Sequence, residues 1–397
     1  MKQYRLYSSL PDISARGTVA EIDTEALVSN YKLLCSRSEN ACHICVVKSD
    51  AYGHSADICV KALLEAGCDF FAVSSMEEAI SVRNVCVDEG RDANVLILGY
   101  TDPAYASLLA KHDIIQAILS VEFAESLNKA AMTDGVRVRT HIALDTGMNR
   151  IGLCAFDESS CRKAAESISF LCSLDGIAVE GMFTHFAKAD DDGEDINNDD
   201  SHVRRQFDRF NAVKIALEDQ GIKLFCHVSN SAATVRFPTL ALDGVRLGIL
   251  LYGASSGSCF PEGLLPVMKL KGRVVHIHTL LPGESVSYGG TFSSEEERTI
   301  ATVPIGYADG FARSYSGSEV TVHTREGDFK ATVVGRVCMD QFMIDVTGLP
   351  VNVGDDITVF GDDPSSLKAL AEMSDTIEYE CLCRISARVP RIIKNKM

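Results

Sequence analysis

The sequence predicts an α/β fold: a (β/α)8 TIM-type barrel over residues 1–263, followed by a C-terminal, mostly β domain over residues 264–397. Three observations carry this reading. From Ile44 to Tyr252, eight short apolar segments rich in β-branched residues recur, most of them separated by stretches of helical spacing. Such alternation argues for a parallel sheet, and eight units argue for its closure into a barrel. From about Leu264 the texture changes to alternating segments joined by tight turns, and a chain of 397 residues has room for both domains.

The elements follow in order. Gly17 to Asp23 alternates and is expected to be a strand, with Thr24 as N-cap of a helix over Glu25 to Arg37. Ile44 to Val47 is too short for a helix and reads as a buried strand ending at Lys48. Asp50 and Gly53 then turn the chain into a helix over Ser55 to Glu65. Further strands are expected at Phe70–Ser75, Val95–Tyr100, Ile114–Leu119, Val138–Leu144, Val179–His185, Leu224–Ser229 and Val245–Tyr252. Helices fall at Met76–Glu89, Pro103–Lys111, Val121–Thr133, Cys161–Cys172 and Ser201–Asp219. In the second domain the alternating segments are Gly272–His278, Arg298–Val303, Glu319–His323, Phe329–Val334, Phe342–Val346 and Asp356–Phe360. Turns such as Pro282-Gly283-Glu284 join them, Ser365–Glu372 is a short helix, and a basic tail from Arg388 to Lys396 holds a last strand.

Composition excludes several classes of function. A net charge of −17 argues against a nucleic-acid or anionic-membrane surface. The opening MKQYRLYSSLPD lacks the apolar core of a signal peptide and no run approaches membrane-spanning length, so a soluble cytoplasmic protein is expected. The 14 cysteines are then reduced core residues. Cys42 and Cys45 match C-x-x-C, but no second pair supplies the other half of a zinc site. Asp190 to Asp200 reads as a solvated loop; its spacing fails the calcium-loop pattern because no glutamate closes it. No metal is expected.

The strand ends carry the chemistry. An α/β barrel places its catalytic groups at the carboxyl ends of its strands. Desolvation of a lysine there disfavours the ammonium form, as a Schiff-base lysine requires; the plainer reading is a lysine that snorkels to solvent. Lys48 has company: Leu144–Arg150, Thr184–Ala187, His227–Ala232 and Gly244–Ile249 are polar clusters at other strand ends, and a barrel brings them to one face.

These stretches resemble the motifs of the alanine racemases, a family dependent on pyridoxal phosphate (PLP). VVKSDAYGHS resembles the family's VVKADAYGHG, which implies that Lys48 carries PLP and Tyr52 hydrogen-bonds its phosphate. DTGMNRIG is similar to DTGMGRxG and assigns Arg150 to the substrate carboxylate and the PLP phenolate oxygen. GMFTHFAKAD places His185 beside the arginine that faces the ring nitrogen and Asp190 in the access channel. HVSNSAAT and VRLGILLYG give phosphate contacts to Ser231, Gly248 and Ile249, and the ring-nitrogen contact to Arg246. VSYGGTF resembles VSYGATY, whose tyrosine is a second catalytic base; here it is Tyr288. PIGYADGF and GRVCMDQ imply access-channel roles for Tyr307, Arg313 and Arg336, and substrate-side roles for Met339 and Asp340. The resemblance also implies a homodimer with shared active sites.

Two departures stand out. The family's HxKxDTGM, with its carbamylated lysine, is HIALDTGM here, so Ala143 cannot supply the anion that orients Arg150. The family's ISYRVPR is ISARVPR, which leaves Ala387 where a tyrosine lines the substrate pocket and widens the expected specificity from alanine toward serine.

The function these observations imply is a PLP-dependent racemase interconverting L- and D-alanine by two-base α-proton transfer, with serine also accepted. The alternatives are a serine-preferring racemase and a non-catalytic PLP carrier, which would share the barrel and Lys48 but not the β domain and Tyr288. A decarboxylase of the related barrel would need an acidic partner for the ring nitrogen and a glycine-rich phosphate loop, and the sequence has neither.

Overall fold

The computed structural model describes residues 15–255 and 257–394. The stretch MKQYRLYSSLPD and the end of the basic tail lie outside the described residues. The first strand, β1 (Val19–Ile22), is followed by a helix over Thr24–Cys35, which Asp23 caps instead of Thr24: its Oδ1 accepts the Ala26 N–H at 2.9 Å.

The barrel is built from β2 (Cys42–Val46), β3 (Phe70–Val73), β4 (Asn94–Ile97), β5 (Ile114–Ile118), β6 (Val138–Asp145), β8 (Ile177–Phe183), β9 (Phe225–His227) and β10 (Gly244–Leu247), with a two-residue β7 (Leu153–Cys154) beside the end of β6. Neighbours run parallel in the order β5-β4-β3-β2-β10-β9-β8-β6, and β5 pairs with β6 to close the cylinder. Four of the helices between them are capped by Ser75, Ser120, Asp157 and Ser201, each accepting a first-turn N–H; the one capped by Asp157 starts at Glu158, ahead of the expected Cys161. Aliphatic residues on the outward faces of the strands pack under these helices into one buried core. The barrel interior is more polar than the usual branched aliphatic filling, since His141, His227 and Arg246 are all buried there.

The second domain is a sheet of β11 (Met268–Arg273), β12 (His276–Leu280), β15 (Arg298–Val303), β16 (Glu319–Thr324), β17 (Gly327–Val334), β18 (Phe342–Asp345), β19 (Asp356–Phe360) and β20 (Arg391–Ile393), with a small hairpin of β13 (Ser285–Val286) and β14 (Phe292–Ser293). Gly272 to His278 is two strands, not one: Val274 and Val275 leave β11 and pair with Asp355 and Thr302 instead. The strand β1 belongs to this sheet, antiparallel to β11 and parallel to β20, so both ends of the described chain meet there. Between Asp190 and Asp200 the acidic side chains fold the loop on itself, as in Gly193 N–H to Asp191 and Asn197 N–H to Asp195. Among the described residues no helix is long and apolar enough to cross a membrane.

Candidate active site

Lys48 follows β2 and is half-buried. The next four residues, Ser49, Asp50, Ala51 and Tyr52, all have φ between 53° and 55°, a turn of left-handed helix made without glycine. Each such residue costs about 1–2 kcal/mol, so the surroundings must hold the turn in place. They do so from several sides. Ser49 N–H donates to Glu78 Oε1 at 2.6 Å, and Ala56 N–H to Asp50 Oδ1 at 2.7 Å. Arg391 Nε donates to Gly53 O at 2.9 Å, and Tyr252 Oη to Val46 O at 2.9 Å. Gly53 closes the turn at φ 83°, where a Cβ would lie 2.5 Å from Leu382 O.

The turn delivers the Tyr52 phenol to the loop after β10. A Cβ on Gly248 would lie 3.0 Å from Tyr52 Oη and 3.5 Å from Ser231 Oγ, so the three groups surround one small space. Gly248 N–H donates to Ser231 Oγ at 2.7 Å, and Ile249 begins the short 3-10 turn that follows. Tyr52 Oη makes no hydrogen bond to protein among the described residues, and burial raises its pKa well above the ordinary phenol value. A protonated, unpartnered hydroxyl, a serine and a glycine around one space are the donor set and the room a phosphate needs.

Arg246, on β10, is buried with both terminal nitrogens of its guanidinium engaged. It donates to His227 O and Thr184 O at 2.7 Å, to Val228 O at 3.0 Å and to His227 Nδ1 at 2.9 Å, with His185 Nδ1 at 3.4 Å. His227 Nε2 in turn lies 3.0 Å from His141 Nδ1. Burial, with the Arg246, Arg150 and Lys48 charges beside it, pushes the His185 pKa down to about 3. Burial pushes His141 down to about 3 and His227 well below its usual value. Neutral imidazoles can therefore accept from Arg246, whose own pKa falls to about 9 through burial and the neighbouring Arg150.

Burial also lowers the Lys48 pKa, helped by Arg150 and opposed by Glu78. Arg150 is exposed and makes no hydrogen bond or ion pair among the described residues. Asp145 shapes its loop by accepting Gly147 N–H and Asn149 N–H at 3.0 and 2.9 Å. Three cations, Lys48, Arg150 and Arg246, thus face one strand-end site, which favours an anionic occupant. Ala143 is buried in a small cluster with Ala117 and Phe183.

Residues outside the sequence motifs complete this site. Gln206 ties two loops together, accepting Ala187 N–H at 2.9 Å and donating to His185 O at 2.9 Å and Thr146 Oγ1 at 3.2 Å. A helix over Glu378–Cys383 brings Tyr379 to 6.0 Å from the Tyr52 ring and sets Cys383 where its charge would be felt at both Lys48 and Tyr52. Nothing in the alternation of the sequence marks that helix. Ala387 itself is exposed.

The remaining expected site residues, Asp190 apart, lie on the second domain. Tyr288 is 70% exposed and Met339 54%. They share an open cavity of about 600 Å³ with Ser287, Cys338, Asp340, Gln341 and Met343. Tyr307 lies beside it, held through its N–H to Cys338 O at 3.1 Å. Arg313 and Arg336 are exposed, and Asp190 is half-buried at the start of the acidic loop.

Comparison with known proteins agrees with this geometry. Residues 22–256 match the family model "Alanine racemase, N-terminal domain", and residues 267–393 match "Alanine racemase, C-terminal domain". The alanine racemase of Clostridium perfringens (strain ATCC 13124) is 41% identical over 392 residues, covering 96% of this chain and 97% of the relative. Alanine racemase 1 of Clostridium acetobutylicum is 39% identical over 387 residues, 95% of each. The solved alanine racemase of Clostridium difficile 630 superposes with a TM-score of 0.86 at 36% identity, over 96% of both chains. A histidine racemase from Leuconostoc mesenteroides superposes with a TM-score of 0.83 at 28% identity, over 96% of this chain and 99% of that one. With a PLP-sized set of donors at the strand ends and both family domains spanned, the chain belongs to the alanine racemases, PLP-dependent isomerases of amino acids.

Proposed function

We propose that this racemase interconverts L- and D-alanine by two-base α-proton transfer between the chains of a homodimer, and that it also accepts serine. The observation that carries the reading is the separation of the two bases. Lys48 stands among barrel groups, whereas Tyr288 is 70% exposed in a cavity lined only by residues 287–343 of its own β domain. A phenol so exposed, with an exposed Met339 and Asp340 beside it, suits a site completed by the barrel of a second chain.

PLP, when bound, supplies the electron sink that acidifies the substrate α-carbon. Tyr52, Ser231, Gly248 and Ile249 would hold its phosphate, and His185 and Arg246 its ring. An arginine cannot give up its proton to the ring nitrogen, so Arg246 limits the sink and favours removal of the α-proton alone. Arg150 fixes the substrate carboxylate, with Met339 and Asp340 on the far side. Lys48, its pKa lowered by burial, takes or returns the proton on one face of the α-carbon. Tyr288 of the second chain does the same on the opposite face, and exchange of roles makes the reaction reversible. Serine acceptance is supported by the small side chain at Ala387 alone. Fourteen unpaired cysteines suit a reducing, cytoplasmic compartment.

The test is complementation. A Lys48→Ala chain and a Tyr288→Phe chain should each be inactive; mixed with subunit exchange, they should recover about a quarter of full activity, because half the dimers are hybrids and each hybrid has one complete site. No recovery despite proven exchange would refute the shared site.

A further inference from the structure

The segment Ile385–Arg391 carries two arginines that grip opposite sides of it. Arg391 donates to Gly53 O at 2.9 Å, in the turn after Lys48, and to Ile385 O, Ser386 O and Val389 O at 2.5, 2.6 and 2.8 Å. Arg388 faces the other way. Its Nε lies 3.1 Å from Asp309 Oδ1, and its Nη2 donates to Asp340 Oδ1 at 2.9 Å.

Asp309 is fully buried, yet its carboxylate is fully used: Arg16 approaches at 2.7 and 3.3 Å, and Gly306 N–H donates at 3.0 Å. Around it three backbone stretches come into close register. Tyr307 N–H donates to Cys338 O at 3.1 Å, Ala308 N–H to Met339 O at 3.0 Å, and Ser386 N–H to Asp309 O at 3.0 Å. A Cβ on Gly306 would lie 2.3 Å from Met339 O, and one on Gly310 2.5 Å from Arg384 O. Within this block the backbone contacts fix Tyr307 and Met339 to the C-terminal segment. The exposed Asp340 side chain has one fixed partner among the described residues, the Arg388 fork.

We propose that Arg388 is a positioning residue for the neighbouring active site. By bridging buried Asp309 to exposed Asp340, it sets the Tyr307 loop and the Met339–Asp340 turn at the angle they present to the second chain. The inference rests on the shared site proposed above. It adds a specific asymmetry: Arg388 serves the site completed by its own Tyr288, and not the site built on its own Lys48.

Hybrid dimers with one working site separate these cases. In a hybrid of Lys48→Ala and Tyr288→Phe chains, the Lys48→Ala chain supplies Tyr288 and the Tyr288→Phe chain supplies Lys48. Arg388→Gln on the Lys48→Ala chain should raise KM for L-alanine and lower kcat/KM about tenfold, because an ångström of misplacement is costly at a reacting centre. The same substitution on the Tyr288→Phe chain should leave kcat/KM within about twofold of the parent hybrid. Asp309 keeps Arg16 and Gly306 in the variant, and Arg388→Lys, which retains a cation beside Asp309 but lacks the fork that reaches two carboxylates, should show the same asymmetry if Arg388→Gln folds poorly. Equal losses in both placements, no loss in either, or loss only on the Lys48-supplying chain would overturn the proposal. An inactive parent hybrid would instead bring down the shared site, and the proposal with it.

Discussion

Removing one oxygen from Tyr52 tests the phosphate cradle without disturbing the fold around it. The Tyr52 hydroxyl has no hydrogen-bond partner in the protein among the described residues, so Tyr52→Phe deletes no internal contact. Its ring would remain packed on Tyr252 at 5.0 Å and near Tyr379 at 6.0 Å. The apoenzyme should therefore unfold within about 1 kcal/mol of the parent, as expected when no buried partner is orphaned. The cofactor would lose a hydrogen bond to a charged oxygen, worth about 1.5–3 kcal/mol, or roughly 10- to 150-fold in affinity. Because burial holds the phenol protonated far above neutral pH, the loss should not vary between about pH 6 and pH 9. The assay is titration of the apoenzyme with PLP, followed by absorbance, alongside urea unfolding of the same sample. A PLP affinity within about twofold of the parent would refute the cradle. So would a destabilised apoenzyme, since Tyr52 would then be a structural residue.

Further expectations follow from the same geometry. Acid should destabilise the apoenzyme steeply: the pKa values of His54, His141 and His185 are depressed to about 4, 3 and 3 by burial, so the folded state stays neutral where the unfolded chain takes up protons. The stability they lend is complete above pH 6.5 and is lost as pH falls toward 4, at about 1.4 kcal/mol per unit for each, and a urea midpoint unchanged from pH 7 to pH 5 would contradict it. Because Ala143 cannot be carbamylated, activity should not respond to bicarbonate; stimulation by bicarbonate but not by chloride would count against that reading. Ala387→Tyr should shift the ratio of kcat/KM for L-serine to that for L-alanine by about 10- to 200-fold toward alanine. An unchanged ratio would show that Ala387 is not the determinant and that the pocket is closed by other means.

Much of this architecture was legible because its signals are local. A lysine ending an apolar β-branched run, and polar clusters ending four more, are visible in the order of residues alone, and a barrel with parallel strands brings such ends together. What was not legible depends on distant partners. The left-handed turn at Ser49–Tyr52 contains no glycine and contradicts the preferences of its residues; Glu78, Arg391 and Tyr252, far along the chain, impose it. The placement of β1 in the second sheet is a pairing with β11 and β20 that no local pattern encodes. The run from Arg246 through His227 to His141 likewise joins three strands, and each histidine alone reads as an ordinary core residue. The helix carrying Tyr379 and Cys383 is six residues long, too short for periodicity to reveal.

In the proposed mechanism Lys48 carries the cofactor and then handles the α-proton. Borohydride reduction of the holoenzyme, digestion and mass mapping of the phosphopyridoxyl label test this directly. The label should fall on the peptide containing Lys48 and on no other lysine. A label elsewhere, or none on a fully loaded enzyme, would contradict the assignment on which the rest of the mechanism depends.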